Sequence, residues 1–322
     1  MARLLRAMNL TRRFVLTALF FVSGTAVGRA SGMRRVSPER QRSAEALRRV
    51  TRWGCQYQNV DLGAITRSDL DLIVIDPSLD DRALRLVSKA ECEALKTRAD
   101  GARRIVLAYL SVGEADTKRW HWPAAWLRSE PDWLGPENPK WPGSRSVKYW
   151  NSEWRDLVYN GDHSILGVIL DAGFDGVFLD RADAYGDWIG EPGALDAMAE
   201  LVFELGAKAR ACDPGFILML QNAEALLRHE NLAAAIDAHS KESLLTGLHG
   251  ADTRNMPEDV DWSLGYLRGL QEIGVPTFAA EYISDQALCS EVETRLTELG
   301  FVPFFATTNL DRLPGAACAA EN

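Results

Sequence analysis

The chain has 322 residues, 47% of them hydrophobic, which is enough for one large core. Its net charge is −9, unevenly spread: residues 1–52 hold 12 Lys and Arg against 2 Asp and Glu, the remainder 24 against 43. A domain this acidic repels nucleic acid and anionic glycans and draws cations, although acidity also serves solubility alone.

Near the N-terminus, Thr11-Arg12-Arg13-Phe14-Val15-Leu16 precedes an apolar stretch that runs to Val27, and Gly28-Arg29-Ala30 offers small residues before Ser31. This is the pattern of a secretory signal over residues 1–30, so the expectation is an exported protein, periplasmic or extracellular, that meets the membrane only in transit. The paired arginines resemble a twin-arginine signal, with Val15 where that motif carries Phe. Residues 31–52, Arg-rich and containing Ser and Pro, read as a basic linker, and residues 53–322 as one domain.

From Trp53 onward eight apolar runs read as strands: 53–58, 72–76, 105–111, 176–180, 216–221, 235–239, 277–281 and 302–306. Amphipathic helices are expected between them at about 88–99, 152–172, 194–211, 223–231, 262–273 and 285–299. The connection 61–70 is short for a helix. Eight β-then-α units in this length predict a (β/α)8 barrel, and no Gly-x-Gly-x-x-Gly turn follows an early strand to favour a doubly wound sheet.

Several runs end in a carboxylate or amide: Asp76, Asp180, Asn222 and Glu281, with Glu114 just beyond the third. A barrel gathers its strand exits at one face, so these groups converge on one acidic pocket, joined by Asp183, Tyr185 and Glu224. Glycosidic cleavage needs two carboxyl groups across the bond, one acid and one nucleophile or base. Asp180 is the first candidate and Glu242, beyond the sixth strand, the second; Asp237 competes with Glu242 but points differently along the strand. Any one of these acids, taken singly, is more often a surface or capping residue.

Seven of the ten tryptophans lie between Glu114 and Trp154, in a segment broken by five prolines. Indole faces stack on sugar rings and attract cations. Most of the seven are expected to fasten this long loop to the barrel, leaving a pair, assigned to Trp120 and Trp150, to line a groove. Five histidines without His-x-His or His-Glu-x-x-His spacing give no metal motif, there is no Gly-x-Ser-x-Gly elbow, and no cofactor is expected. Five cysteines permit up to two disulfides whose pairing the spacing does not fix.

In combination and order, Ala108-Tyr109-Leu110-Ser111-Val112-Gly113-Glu114, Pro131-Asp132-Trp133-Leu134-Gly135, Val147-Lys148-Tyr149-Trp150, Gly173 to Asp180, Gln221-Asn222-Ala223-Glu224 and Ala280-Glu281-Tyr282 resemble glycoside hydrolase family 114. The resemblance covers about Trp53 to Leu313. It implies a (β/α)8 barrel, hydrolysis of α-1,4-linked galactosamine polymers, and a catalytic pair falling on Asp180 and Glu242. Ser240-Lys241-Glu242-Ser243 departs from the Asn-Glu of characterised polygalactosaminidases, which bears on the substrate more than on the reaction. The expected partner is a polysaccharide of cationic amino sugars, bound by Asp76, Glu114, Asp183, Tyr185, Asn222, Glu281, Trp120 and Trp150. The alternatives are a non-catalytic glycan-binding barrel and a metal-dependent hydrolase.

Overall fold

The computed structural model describes residues 36–79, 85–229 and 231–313. The expected signal segment, residues 1–30, and Cys318 lie outside the described residues.

Eight parallel strands form one sheet in the order of the chain: β1 (Trp53–Gln56), β2 (Leu72–Ile75), β3 (Ile105–Ser111), β4 (Gly176–Asp180), β5 (Ile217–Gln221), β6 (Ala238–Glu242), β7 (Thr277–Glu281) and β8 (Phe301–Phe305). Across the seam, the Trp53 indole Nε1 donates to the Val302 carbonyl at 2.9 Å, and the Tyr57 amide to Leu310 at 2.8 Å. The result is a nearly closed barrel, as expected. Side chains alternate across each strand. Trp53 and Cys55, Leu72 and Val74, Ile105 and Leu107, Phe178, Ile217 and Met219, Phe278 and Ala280 fill the interior. Their neighbours, such as Ile73, Ile75, Val106, Val177 and Leu218, meet the surrounding helices in a second layer. No helix of the described residues is long and apolar enough to cross a membrane.

The expected linker is a helix. Residues Pro38–Arg48 form α1, whose N-cap Ser37 accepts from the Arg40 amide. It packs on the barrel's N-terminal end: Leu47 is buried, Ser43 donates to the Gly215 carbonyl, and Arg48 to that of Gly274. Arg40 Nε lies 2.7 Å from the Asp237 carboxylate, which also accepts from Arg210 at 2.6 Å and from the Leu218 amide at 2.9 Å. The basic residues that suggest a linker thus include the ones that bind the barrel floor.

Other differences are local. The 61–70 connection holds α2 (Leu62–Arg67), capped by Asp61, and α3 (Lys89–Leu95) is shorter than expected. The helix expected over 152–172 is broken into α4 (Ser152–Arg155), a π-helical turn at Asp156–Asn160, and α5 (Ile165–Asp171), because Gly161 leaves the helix and Ser164 starts a new one as N-cap. Further on come α6 (Ala194–Cys212), α7 (Leu232–Ala235), α8 (Pro257–Glu272) and α9 (Gln286–Glu298). Where a helix is expected at 223–231 there is a 3-10 turn, Glu224–Arg228, before α7. Strand β6 begins three residues later than expected, so Glu242 is its last residue.

The tryptophan-rich insertion folds as a three-stranded antiparallel sheet of Glu114–Asp116, Ser144–Val147 and Leu134–Glu137. Its rings form a relay, Trp122 to Trp126 to Trp133 to Trp154, with centroids 5.0 to 5.2 Å apart. Trp133 and Trp154 are buried, and the Trp154 indole donates to the Val112 carbonyl at 3.0 Å. Most of the insertion's rings do fasten it to the barrel. Cys289 is disulfide-bonded, whereas Cys55, Cys92 and Cys212 are free.

Candidate active site

The strand exits are built by register and parity. Asp180 lies two residues beyond Phe178 and Glu242 four beyond Ala238, so both carboxylates share the barrel-facing side of their strands. At each of three successive exits the next residue turns left-handed without being glycine: Arg181 (φ 57°), Asn222 (φ 51°) and Ser243 (φ 54°). Such conformations cost about 1–2 kcal/mol each and persist where surrounding contacts enforce them.

Those contacts are specific. The Tyr109 hydroxyl donates to Asp180 Oδ2 at 2.7 Å, and the Arg181 amide also supports that carboxylate. The Tyr282 hydroxyl donates to Glu242 Oε1, and Asn222 Nδ2 lies 3.5 Å from Oε2. Asn222 Oδ1 in turn accepts from the Glu242 amide at 2.9 Å and from Lys241 at 3.3 Å. His239 Nε2 holds the Asn222 carbonyl at 2.8 Å, and burial keeps this imidazole neutral, with its pKa pushed down to about 4. Lys241 pairs with Glu224 at 3.2 Å, and Ser263 of α8 donates to the same carboxylate.

Burial, and then the charge of Glu242, hold Asp180 above the usual aspartate pKa; the Tyr109 hydrogen bond opposes them. Glu242 thus lies near enough for its charge to oppose ionisation of Asp180. Burial pushes both tyrosines far up, reinforced by Asp180 for Tyr109 and by Glu242 for Tyr282, so they remain donors. Neither tyrosine is among the residues selected from sequence. The signal was present: Tyr109 follows Leu107 and Tyr282 follows Ala280 by two, placing both on the interior side.

The remaining candidates divide. Asp76 follows β2 directly beside the mouth, accepts from the Ser78 amide at 2.8 Å and pairs with Arg119 from the insertion. Asp183 pairs with Arg181 at 3.0 Å, and its pKa is raised by burial against the pull of Arg181. Glu114 is taken up by Asn138 at 2.8 Å, Ser144 at 2.6 Å and Arg181 at 2.8 Å, which tie the insertion to the turn after β4. Glu281 has the opposite parity, beside Ala279 on the helix-facing side. Fully buried, it accepts from the Leu245 amide at 2.7 Å and from the Thr246 hydroxyl at 2.6 Å, so it anchors the loop after Glu242 rather than opening to a ligand. Asp237 lies at the opposite, N-terminal end, bound to α1.

Trp120 lines a cavity of about 50 Å³ with Asp76, Tyr109, Arg119 and His121. Tyr185 and Trp188 line an open concavity of about 440 Å³ on the β4–α6 loop, and burial raises the Tyr185 pKa to about 12. Trp150 packs edge-on against Trp188, centroids 5.3 Å apart. Among the described residues no group of three or more His, Cys, Asp and Glu side chains is arranged to hold a metal.

The barrel has solved counterparts. The glycoside hydrolase domain of PelA from Pseudomonas aeruginosa superposes with a TM-score of 0.63 at 22% identity, covering 83% of this chain and 98% of that one. Aspergillus fumigatus Ega3, solved in complex with galactosamine, superposes with a TM-score of 0.59 at 19% identity, covering 81% and 92%. Among sequences, an uncharacterised protein of Deinococcus radiodurans is 33% identical over 271 residues, 83% of this chain and 84% of its own. One from Methanocaldococcus jannaschii is 30% identical over 294 residues, 84% and 83%. The model of glycoside-hydrolase family GH114 matches residues 35–319, which takes in α1 as well as the whole barrel, and the chain belongs to that family.

Proposed function

We propose that the protein is an exported endo-glycosidase that hydrolyses α-1,4-linked, galactosamine-containing polysaccharide through Asp180 and Glu242. The observation that carries this reading is that both carboxyl groups sit on the barrel-facing side at the exits of β4 and β6, each held by a tyrosine hydroxyl, with the charge of Glu242 felt at Asp180. Two-carboxylate hydrolysis needs one acid and one carboxylate across the glycosidic bond. Glu242 gives the proton to the leaving glycosidic oxygen, and Asp180, as the carboxylate, attacks the anomeric carbon or takes the proton of the attacking water. Tyr109 and the Arg181 amide hold Asp180 as the carboxylate before this step, and its charge is consumed as the new C–O or O–H bond forms.

The galactosamine complex of the similar Ega3 fold supports an amino sugar as substrate, and the acidity of the domain suits a cationic polymer. Export is supported by the N-terminal pattern and by a disulfide at Cys289, which persists in an oxidising compartment. Residues 31–322, incubated with partly deacetylated α-1,4-galactosamine polymer, should release oligosaccharides detectable by mass spectrometry. Asp180→Asn should lower turnover at least about a hundredfold. Near-normal activity of that variant would overturn the assignment.

A further inference from the structure

Resting on the hydrolase reading above, we infer that the cavity over β2 and β3 is a subsite for an N-acetylated amino sugar, with Arg119 as its specificity-determining residue. The insertion turns sharply at Asp116, which accepts from the Lys118 amide at 2.8 Å through its side chain and from the Arg119 amide at 3.1 Å through its carbonyl. That turn sends the Arg119 side chain back over the barrel mouth. Its guanidinium lies 5.0 Å from the centroid of the Tyr109 ring and pairs with Asp76. Tyr109 is the residue that donates to Asp180, so Arg119 stands one side chain from the reacting pair.

A free ammonium group on a sugar bound here would meet a cation already in place. The carboxylate that would otherwise receive it, Asp76, is committed to Arg119, and Glu114, on the same wall, to Asn138, Ser144 and Arg181. An acetamido group has none of this conflict. Its carbonyl oxygen accepts from the guanidinium, whose five donors exceed what one carboxylate can use. Its N–H donates toward Asp76, and its methyl rests on Trp120. The second ring of the wall, His121, is kept neutral by burial and by Arg119, and its Nδ1 is buried without a hydrogen-bond partner. The size agrees: about 50 Å³ holds three or four heavy atoms, at the 10–15 Å³ or so that one water occupies on the same scale. To the partly deacetylated polymer of the hydrolase reading, the inference adds a fixed position for one N-acetyl group relative to the cut, set by Arg119.

The test compares two sets of α-1,4-linked galactosamine oligomers, one fully deacetylated and one bearing N-acetyl groups at known positions. The wild-type chain should cleave the acetylated set with kcat/KM at least about tenfold higher. Mass spectrometry should find the N-acetyl group at one fixed place in the products. Arg119→Gln frees Asp76 to receive an ammonium group, so it should reverse the preference, with circular dichroism showing that the fold is kept. Equal cleavage of both sets, random acetylation of the products, or an unchanged preference in Arg119→Gln would overturn the inference. Cleavage of neither set would sink the hydrolase reading itself. Binding then decides the subsite: N-acetylgalactosamine should outcompete galactosamine in an NMR titration and lose that advantage in Arg119→Gln, and equal binding refutes it.

Discussion

Gly113 lies where the exit of β3 meets the exit of β4, and replacing it with alanine should cost more activity than stability. A Cβ at this position would come within 2.3 Å of the Arg181 carbonyl oxygen and 2.3 Å of Ala184 Cβ. Ordinary contact begins near 3.4 Å, so the turn after β4 must retreat by about 1 Å. Arg181 is the left-handed residue that ends β4, and the preceding carbonyl, that of Asp180, accepts from the Val112 amide at 3.0 Å. The displacement therefore reaches the Asp180 backbone. Overpacking of this kind costs about 1–3 kcal/mol, whereas a catalytic group misplaced by 1 Å loses about a hundredfold in rate. Gly186→Ala, on the same loop with nothing within 4 Å, is the control and should be neutral in both respects. Thermal unfolding and initial rates on the galactosamine polymer separate the two effects. Normal kcat for Gly113→Ala would refute the argument that close packing of these two exits sets the Asp180 geometry.

The pKa of Asp180 is raised in the folded state, so the native protein holds a proton that the unfolded chain releases above the ordinary value near 3.8. Stability must then fall as pH rises through that window. Asp180→Asn removes the penalty and should raise Tm at pH 7 by about 2 °C or more, with the gain vanishing near pH 3; a Tm gain independent of pH would contradict the coupling. Glu281→Ala leaves the amides of Leu245 and Thr246 without their acceptor, and should destabilise the protein by about 2–4 kcal/mol in urea unfolding while loosening the loop after Glu242. A Glu281→Ala protein with normal stability but no substrate affinity would instead make Glu281 a sugar ligand. Arg40→Ala strips one of two arginines from the buried Asp237 and should cost about 1–3 kcal/mol with kcat unchanged, because that cluster lies at the far end from Asp180 and Glu242, the proposed catalytic pair.

What the sequence made legible follows from periodicity. Runs such as Leu72–Ile75 and Gly176–Asp180 are apolar on both faces, as strands between a packed interior and a helical layer must be, and a terminal carboxylate then marks a strand exit. The same rule misleads at Glu281, whose run looks identical but whose odd parity with Phe278 and Ala280 turns it to the helices. Parity would also have found Tyr109 and Tyr282. Arg119 had no such signal. It reaches the mouth through a turn and a sheet of three- and four-residue strands interrupted by prolines, where no alternation is long enough to read. Helix α1 is masked by composition, because the partners that fix Arg40 and Arg48, the Asp237 carboxylate with nearby carbonyls and the Gly274 carbonyl, lie about 200 residues away.

The docking of α1 and β1 also sets an order of events. Arg40 finds Asp237 197 positions further along the chain, Arg48 finds Gly274 226 further, and Trp53 finds Val302 249 further. The first segments among the described residues thus have these partners in the last third of the chain. Until β8 has been synthesised, β1 presents an unpaired edge and the interior stays open, so the ring of strands closes late and slowly, as contacts of long sequence separation do. A chain shortened by a few tens of residues at its C-terminus should therefore lose the floor, the seam and the mouth together, and fold as none of them separately.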